Sequence, residues 1–206
     1  MHTTVIGLFL ALWGQELDVP AKETPIKTTW SFNAMASGSP PSGFLAQSGL
    51  WKVVDSGRKK VLAQLGKNPD EVFNLILADS PKAKNFELSV KLRPIGGELD
   101  QGGGLVWRAK DANNYYVARY NPLEANFRVY KVENGKRTMF QNAHVALAND
   151  WLSLRVRMTC DQIECYLNGK LLLQARDSTF QEAGRIGLWS KADARTEFED
   201  LSLEAH

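Results

Sequence analysis

Short runs of alternating apolar and polar residues, separated by turn residues, restrict the fold of this chain more than any other feature. From about Trp30 onward none of these runs shows the apolar stripe of a long helix. Asn134-Gly135 and Asn168-Gly169 lie between such runs, and Asn-Gly pairs accept the positive φ angles of two-residue hairpin turns. The 206 residues suit one domain, and 16 glycines and 6 tryptophans favour a turn-rich fold. The sequence therefore predicts an antiparallel sandwich or barrel.

The alternation also places individual strands and their registers. Predicted strands are 50–54, 60–64, 72–77, 86–92, 104–109, 115–121, 127–133, 151–158, 163–167, 171–175, 185–190 and 196–203. Around a turn at Cys160, Val156 should face Cys165, and Arg157 should lie opposite Glu164. This register leaves the Cys160 thiol at the turn and buries Cys165, too far apart for a disulfide. The chain gathers too few Cys and His residues in one place for a metal site.

A central hairpin brings arginines and aromatic rings together. Pairing Lys110 with Tyr115 places Trp107 beside Ala118 on the core side. The opposite face then carries Val106, Arg108, Tyr115, Val117 and Arg119, and Arg128 and Tyr130 of the next strand can join it. Such a face binds saccharides when rings stack on sugars and arginines grip hydroxyl groups. The alternative is an ordinary solvated face, on which these arginines pair with Glu87, Glu124 and Glu133; both interpretations stay open.

Carboxylates beside this hairpin raise the question of catalysis. The loop from Asn121 to Asn126 is long for a hairpin and rich in hydrogen-bonding side chains, as binding loops often are. A retaining glycosidase needs two carboxyl groups ~5.5 Å apart. Asp100 and Glu124 are the acid/base candidates if the chain is an enzyme, which the sequence leaves open. The sequence has no serine nucleophile elbow and no phosphate-binding loop.

The N-terminal apolar run, residues 5–13, predicts a secretory signal peptide within residues 1–21, with cleavage after Gly14 or Ala21. The run is shorter than the ~20 residues that a stable membrane span needs. The region before it has neither Lys nor Arg, and a buried first strand is the alternative. On the signal-peptide interpretation, residues 22–206 form the domain and the protein is secreted or periplasmic.

Charge and ligand chemistry exclude some partners. Lys and Arg total 25 against 23 Asp and Glu, a net charge of +2 that gives no bulk attraction to nucleic acid. No Asp-rich calcium loop is visible, and we predict neither a metal nor a cofactor.

Four motifs in order carry a family resemblance: GGGLVWRAKDANNYYVARY, FRVYKVENGK, WLSLRVRM and GRIGLWSKADARTEFEDL. Together they resemble concanavalin A-like jelly rolls of the laminin-G and pentraxin type. More narrowly, they resemble the bacterial family of 3-keto-disaccharide hydrolase domains, over roughly residues 30–204. The resemblance implies an all-β, two-sheet antiparallel β-sandwich outside the cytoplasm, linked to saccharide breakdown on a concave face. Arg108 is the residue of the family pattern that carries over.

We therefore predict a carbohydrate-active domain that binds a saccharide on this face, with hydrolysis left open. The predicted ligand-binding residues are Arg108, Arg119, Tyr120, Asn121, Arg128, Trp189, Lys191 and Asp193. The alternative function is a non-catalytic, laminin-G-like module that binds a glycan or a protein partner. Two carboxyl groups converging in one pocket, one with a raised pKa, would distinguish an enzyme from a binding module.

Overall fold

A computed structural model of the chain describes residues 25–146 and 150–206. The predicted signal peptide lies outside these residues and stays a prediction. The described part contains fifteen strands and no helix. The strands are β1 (Ile26–Trp30), β2 (Phe44–Ser48), β3 (Trp51–Ser56), β4 (Lys59–Gln64), β5 (Phe73–Ala78), β6 (Phe86–Gly96), β7 (Gly103–Asp111), β8 (Asn114–Asn121), β9 (Asn126–Glu133), β10 (Lys136–His144), β11 (Leu152–Thr159), β12 (Gln162–Leu167), β13 (Lys170–Arg176), β14 (Arg185–Lys191) and β15 (Arg195–Ala205).

The strands form two antiparallel sheets. The first sheet has the order β13-β12-β11-β6-β15-β4-β3, with β1 also paired to β15. The second sheet has the order β10-β9-β8-β7-β14-β5-β2. Their facing sides share one apolar core, which includes Leu105 and Trp107 of the second sheet and Val156 and Phe198 of the first. This arrangement confirms the predicted two-sheet antiparallel β-sandwich.

The hairpin of β11 and β12 has the predicted register. Val156 pairs with Cys165, and the Arg157 guanidinium lies 3.7 Å from the Glu164 carboxylate. Cys160 occupies the turn with a φ angle of 53°, and both cysteines are free thiols, the first exposed and the second buried. A shift of this register by one residue would have moved the apolar side chains of β12 out of the core, and the position of the turn fixes the pairing among the remaining registers.

The hairpin of β7 and β8 differs from the predicted pairing by two residues. Trp107 pairs with Tyr116 and not with Ala118, so the predicted pairs were wrong. The pairing shifts between Trp107 and Asp111, where Arg108 adopts a φ angle of 46°. An irregularity of this kind absorbs residues that a regular hairpin would pair. Because the slip is an even number, Trp107 still faces the core as predicted.

Three strands were not predicted from the sequence: β1, β2 and β10. Most residues of β10 are exposed, and its pairing with β9 shifts between Met139 and Gln141, so it lacks clean alternation. Both β10 and β2 are edge strands of the second sheet. Edge strands carry weaker burial patterns than central ones, which explains why these two were missed.

The outer face of the second sheet, opposite the shared core, carries its own apolar cluster. Its members alternate with core residues along each strand: Phe73, Leu75, Leu77, Val106, Ala109, Tyr115, Val117, Tyr130, Val132 and Trp189. We call this set the outer apolar cluster. Within the described ranges, no helix is long and apolar enough to cross a membrane.

Candidate functional site

Arg119 is the centre of a polar cluster at one end of the outer face. It lies on β8, two residues beyond Val117, and therefore points to the same side of the sheet. Its side chain is only 2% exposed. One terminal nitrogen, Nη1, donates to both Asp100 oxygens at 3.1 and 2.8 Å. The other, Nη2, donates to Glu124 Oε2 at 2.6 Å. One guanidinium thus holds two carboxylates.

Asp100 is buried and held on several sides. Its side chain is 4% exposed, and Asn121 Nδ2 donates to Oδ1 at 3.0 Å. Lys191 Nζ lies 3.9 Å from Oδ2. Burial raises the pKa of the Asp100 carboxyl, although the charges of Arg119 and Lys191 oppose this shift.

Asp193 fixes the loop that delivers Asp100. Its carboxylate accepts hydrogen bonds from the backbone N–H groups of Glu98, Leu99 and Asp100 at 2.7, 3.0 and 3.1 Å. Partial burial alone would raise the pKa of Asp193, but these three donors outweigh it and lower the pKa. Asp193 therefore contributes to the site by positioning Asp100.

Glu124 is the exposed carboxylate of the cluster. Besides Arg119, its Oε2 accepts from Asn126 Nδ2 at 2.7 Å and from Arg128 Nη1 at 2.9 Å. Burial favours a higher pKa, but the Asn126 hydrogen bond and the Arg119 and Arg128 charges lower the pKa of Glu124. Asn142 orients Arg128 in turn, because Arg128 Nε donates a hydrogen bond to Asn142 Oδ1 at 2.8 Å.

Aromatic rings continue the outer face from this cluster. The Arg137 guanidinium carbon lies 4.6 Å from the Tyr130 ring centre, 5.3 Å from that of Phe73 and 6.0 Å from that of Trp189. Trp189 Nε1 donates to the Tyr115 hydroxyl at 3.2 Å. Burial raises the pKa of Tyr115 to about 12, so it stays a neutral hydroxyl.

Three buried polar atoms on this face have no hydrogen-bond partner among the described residues. They are Arg119 Nε, Asn126 Oδ1 and Arg137 Nη1. Buried polar groups are satisfied in more than ~90% of cases, so each of these atoms needs an explanation. Two donors and one acceptor match the hydrogen-bonding needs of hydroxyl groups, which both donate and accept.

The structure brings most of the predicted ligand-binding residues to one place. Arg119, Asn121, Arg128, Lys191 and Asp193 all join the cluster around Asp100 and Glu124. Trp189 lies on the same face of the sheet. Tyr120, between Arg119 and Asn121 on β8, instead faces the shared core.

Arg108 occupies a different environment. Its guanidinium donates to the backbone carbonyls of Lys84, Cys160 and Phe180 at 2.7 to 3.0 Å, and the residue is 1% exposed. The bulge turns this side chain away from the alternation that the sequence suggested. These contacts tie three loop segments together, so they favour a structural role over the predicted ligand role, which stays untested.

Arg137 was missed by sequence reasoning, and Asn126 was noted only as part of the hydrogen-bonding loop from Asn121 to Asn126. The Asn134-Gly135 turn nevertheless contained the signal, because a two-residue hairpin fixes the register of the strand after it. That register pairs Arg137 with Val132, a member of the outer apolar cluster. The described residues contain no group of three His, Cys, Asp or Glu side chains that could hold a metal ion.

In comparisons with known proteins, this chain is similar to carbohydrate-related proteins with β-sandwich folds. No family model matches the chain, so the resemblance to 3-keto-disaccharide hydrolase domains is not confirmed. The levanase of Bacillus subtilis (strain 168) is 25% identical over 185 residues, which is 88% of this chain. The chain spans about a quarter of the levanase's length.

Solved structures show the same fold. The carbohydrate-binding module CBM66 from Bacillus subtilis superposes with a TM-score of 0.68 at 24% identity, covering 79% of this chain and 96% of the module. The GH43 protein BlXynB from Bacillus licheniformis gives 0.63 at 15% identity, covering 92% of this chain and 41% of that protein. At these identities the likeness establishes the fold, a β-sandwich shared by carbohydrate-binding modules and proteins that contain hydrolase domains.

Proposed function

We propose that this chain is a saccharide-binding module whose site lies on the outer face of the second sheet, between Arg119 and Arg137. The observation that carries the proposal is the set of three buried, unpartnered polar atoms on this face, one of which, Arg137 Nη1, belongs to the guanidinium that lies over the Tyr130 and Trp189 rings. Rings of this kind stack on the apolar face of a sugar, while fixed donors and acceptors bind its hydroxyl groups. Arg128 and Lys191 add charged donors at the rim.

Levan is the first saccharide to test. The levanase relative is named for its action on this polysaccharide, and the similar module from the same species is a carbohydrate-binding module. We further propose that residues 1–21 direct the chain out of the cytoplasm, where such a polymer would be met.

Binding without hydrolysis fits the two carboxylates better than catalysis does. Asp100 and Glu124 do converge on Arg119, and burial raises the pKa of the first. However, both Asp100 oxygens accept hydrogen bonds in a nearly inaccessible position. Glu124 has a lowered pKa and stays ionised. Neither residue is therefore placed to give a proton to a glycosidic oxygen.

The proposal predicts that Arg137→Lys weakens levan binding by about tenfold, equivalent to ~1.4 kcal/mol. Lysine keeps the charge but loses the planar fork that reaches from the rings to a hydroxyl group. Titration calorimetry of the chain from Lys22 would measure the affinity, since every described strand begins after that residue.

Arg155→Lys is the matched control. Arg155 also stacks on an aromatic ring, 3.7 Å from the Tyr166 centre, but it lies in the first sheet. Equal losses in both variants, or no affinity of the parent chain for levan or a panel of other polysaccharides, would refute the proposed site. Product release detected by mass spectrometry would show hydrolysis and overturn the binding-only proposal.

A further inference from the structure

Arg108 holds a buried positive charge that no described carboxylate neutralises. The residue is 1% exposed, and its hydrogen bonds go to the backbone carbonyls of Lys84, Cys160 and Phe180. These carbonyl oxygens hold the guanidinium in place but carry no net charge. Glu182 acts on the guanidinium through its charge and forms no described ion pair with it. Because buried charges in proteins are as a rule paired with an opposite charge, Arg108 is an exception that needs an explanation.

The two acids on the neighbouring loops already have cationic partners. Asp161, in the turn between β11 and β12, lies 3.0 Å from Arg176 Nη1. Asp177, at the start of the loop between β13 and β14, lies 3.9 Å from Lys131 Nζ. The described part of the chain therefore gives Arg108 no paired counter-charge of its own.

A cavity of about 270 Å³ lies against Arg108 where three loops meet. Its other lining residues come from the loop before β6, the β11–β12 turn and the loop before β14, and they are Lys84, Cys160, Asp161, Ser178 and Gln181. A guanidinium has five N–H groups, and Arg108 makes four hydrogen bonds, one through Nε, one through Nη1 and two through Nη2. One N–H of Nη1 thus has no described acceptor. The ammonium, hydroxyl and carboxamide groups of the lining add further donors.

We propose that this cavity binds a small free oxyanion, such as phosphate or sulfate, which neutralises Arg108. Arginine and lysine are the side chains with which proteins bind phosphate, through charge-assisted hydrogen bonds. The cavity is smaller than the ~300–1,000 Å³ of sites for drug-sized ligands, so it suits a small anion and not a polysaccharide chain. Asp100 precedes β7 and Arg108 lies near the other end of that strand, so this site is separate from the proposed saccharide site.

Cys160 provides a direct readout of occupancy. Its thiol is exposed and lines the cavity, whereas Cys165 is buried, so a neutral reagent such as iodoacetamide should alkylate Cys160 first. At equal ionic strength, phosphate or sulfate should slow this alkylation several-fold relative to chloride, because the bound anion covers the thiol. The backbone amide NMR signals of Ser178 and Gln181 should shift with added phosphate and saturate.

Lys84→Met tests the lining without disturbing the ties that Arg108 makes. The Lys84 side chain is exposed, and the variant keeps the backbone carbonyl to which Arg108 donates. We expect it to lose most of the protection of Cys160. Lys82→Met removes the same charge from an exposed position in the same loop outside the cavity, and it should keep the protection. Arg108→Met is less suited to the test, because it would also release three loop segments.

Equal alkylation rates in phosphate, sulfate and chloride, without saturating amide shifts, would overturn the proposal. So would an equal loss of protection in Lys84→Met and Lys82→Met, since it would show a general effect of net charge. No saccharide enters either measurement, so failure of the proposed function would leave this result intact.

Discussion

At the scale of single residues, the polar cluster depends on Arg119 because Asp100 is buried and needs a compensating charge. Arg119→Met removes the closest compensating charge and leaves the carboxylate 4% exposed, with the Asn121 amide at 3.0 Å and the Lys191 ammonium at 3.9 Å as its remaining partners. Removal of one partner of a buried ion pair costs ~3–5 kcal/mol. We therefore expect the free energy of unfolding to fall by about 3 kcal/mol, measured by urea denaturation.

Arg157→Met is the control for this loss. Arg157 also pairs with a carboxylate, Glu87, but its side chain is 48% exposed. Exposed pairs contribute less than ~1 kcal/mol, so this variant should stay close to the parent chain. Similar losses in the two variants would show that Arg119 is not a buried charge partner of the kind described.

At the scale of elements, the site depends on how closely β7 and β8 approach. Gly104 of β7 lies between Trp189 of β14 and Arg119 of β8. A Cβ atom at this position would lie 1.8 Å from the Ala118 carbonyl oxygen, so an added methyl group forces backbone apart. We expect Gly104→Ala to cost ~1–3 kcal/mol of stability and to weaken saccharide binding.

Gly43→Ala provides the comparison, because a Cβ there meets nothing within 4 Å and its cost comes from a φ angle of 77° alone. That strain is about 1 kcal/mol. Denaturation midpoints of the two variants separate crowding from backbone strain. A Gly104→Ala protein as stable as the Gly43→Ala protein, with unchanged binding, would contradict the role of close strand approach.

The same elements show how far the sequence determines the structure. The β11–β12 hairpin was predicted to the residue, since Val156 and Cys165 alternate with charged neighbours and leave one register. Alternation also assigned Arg119 and Arg128 to one face, and Lys191 was proposed from the GLWSKAD segment; the structure places all three in the polar cluster. Alternation cannot reveal a bulge, so the turning of Arg108 out of its strand was not predicted.

The unpredicted parts of the site have a related cause. Arg137 lies on β10, whose pattern is too exposed to read as a strand by itself. Its place on the outer face follows from its register with β9 across the Asn134-Gly135 turn, and the periodicity of β10 alone does not contain that register. The three unpartnered atoms became visible only when the sheet was assembled, because partners are a property of packing.

At the scale of the whole molecule, stability should fall in acid because carboxylates with lowered pKa values occur in the first sheet and in three loops. Glu87, Glu124, Asp177 and Asp193 are the four. Partial burial alone would raise their pKa values, but hydrogen bonds and neighbouring cations or backbone donors lower them. Each group therefore stabilises the fold above its ordinary pKa, and this stabilisation is lost as the pH falls through the lowered pKa.

The pKa of Asp100 is shifted in the opposite direction to those of the four carboxylates. Because burial raises its pKa, the folded protein takes up this proton more readily than the unfolded chain, which favours folding as the pH falls.

We expect the free energy of unfolding to be level near neutrality and to decrease from about pH 5 to pH 3. In Asp100→Asn the decrease should be steeper, since the one opposing carboxyl is absent. Urea denaturation of both proteins across this range measures the slopes. A parent stability that is flat or rises below pH 5, or a shallower slope in the variant, would mean that these ion pairs do not control acid unfolding.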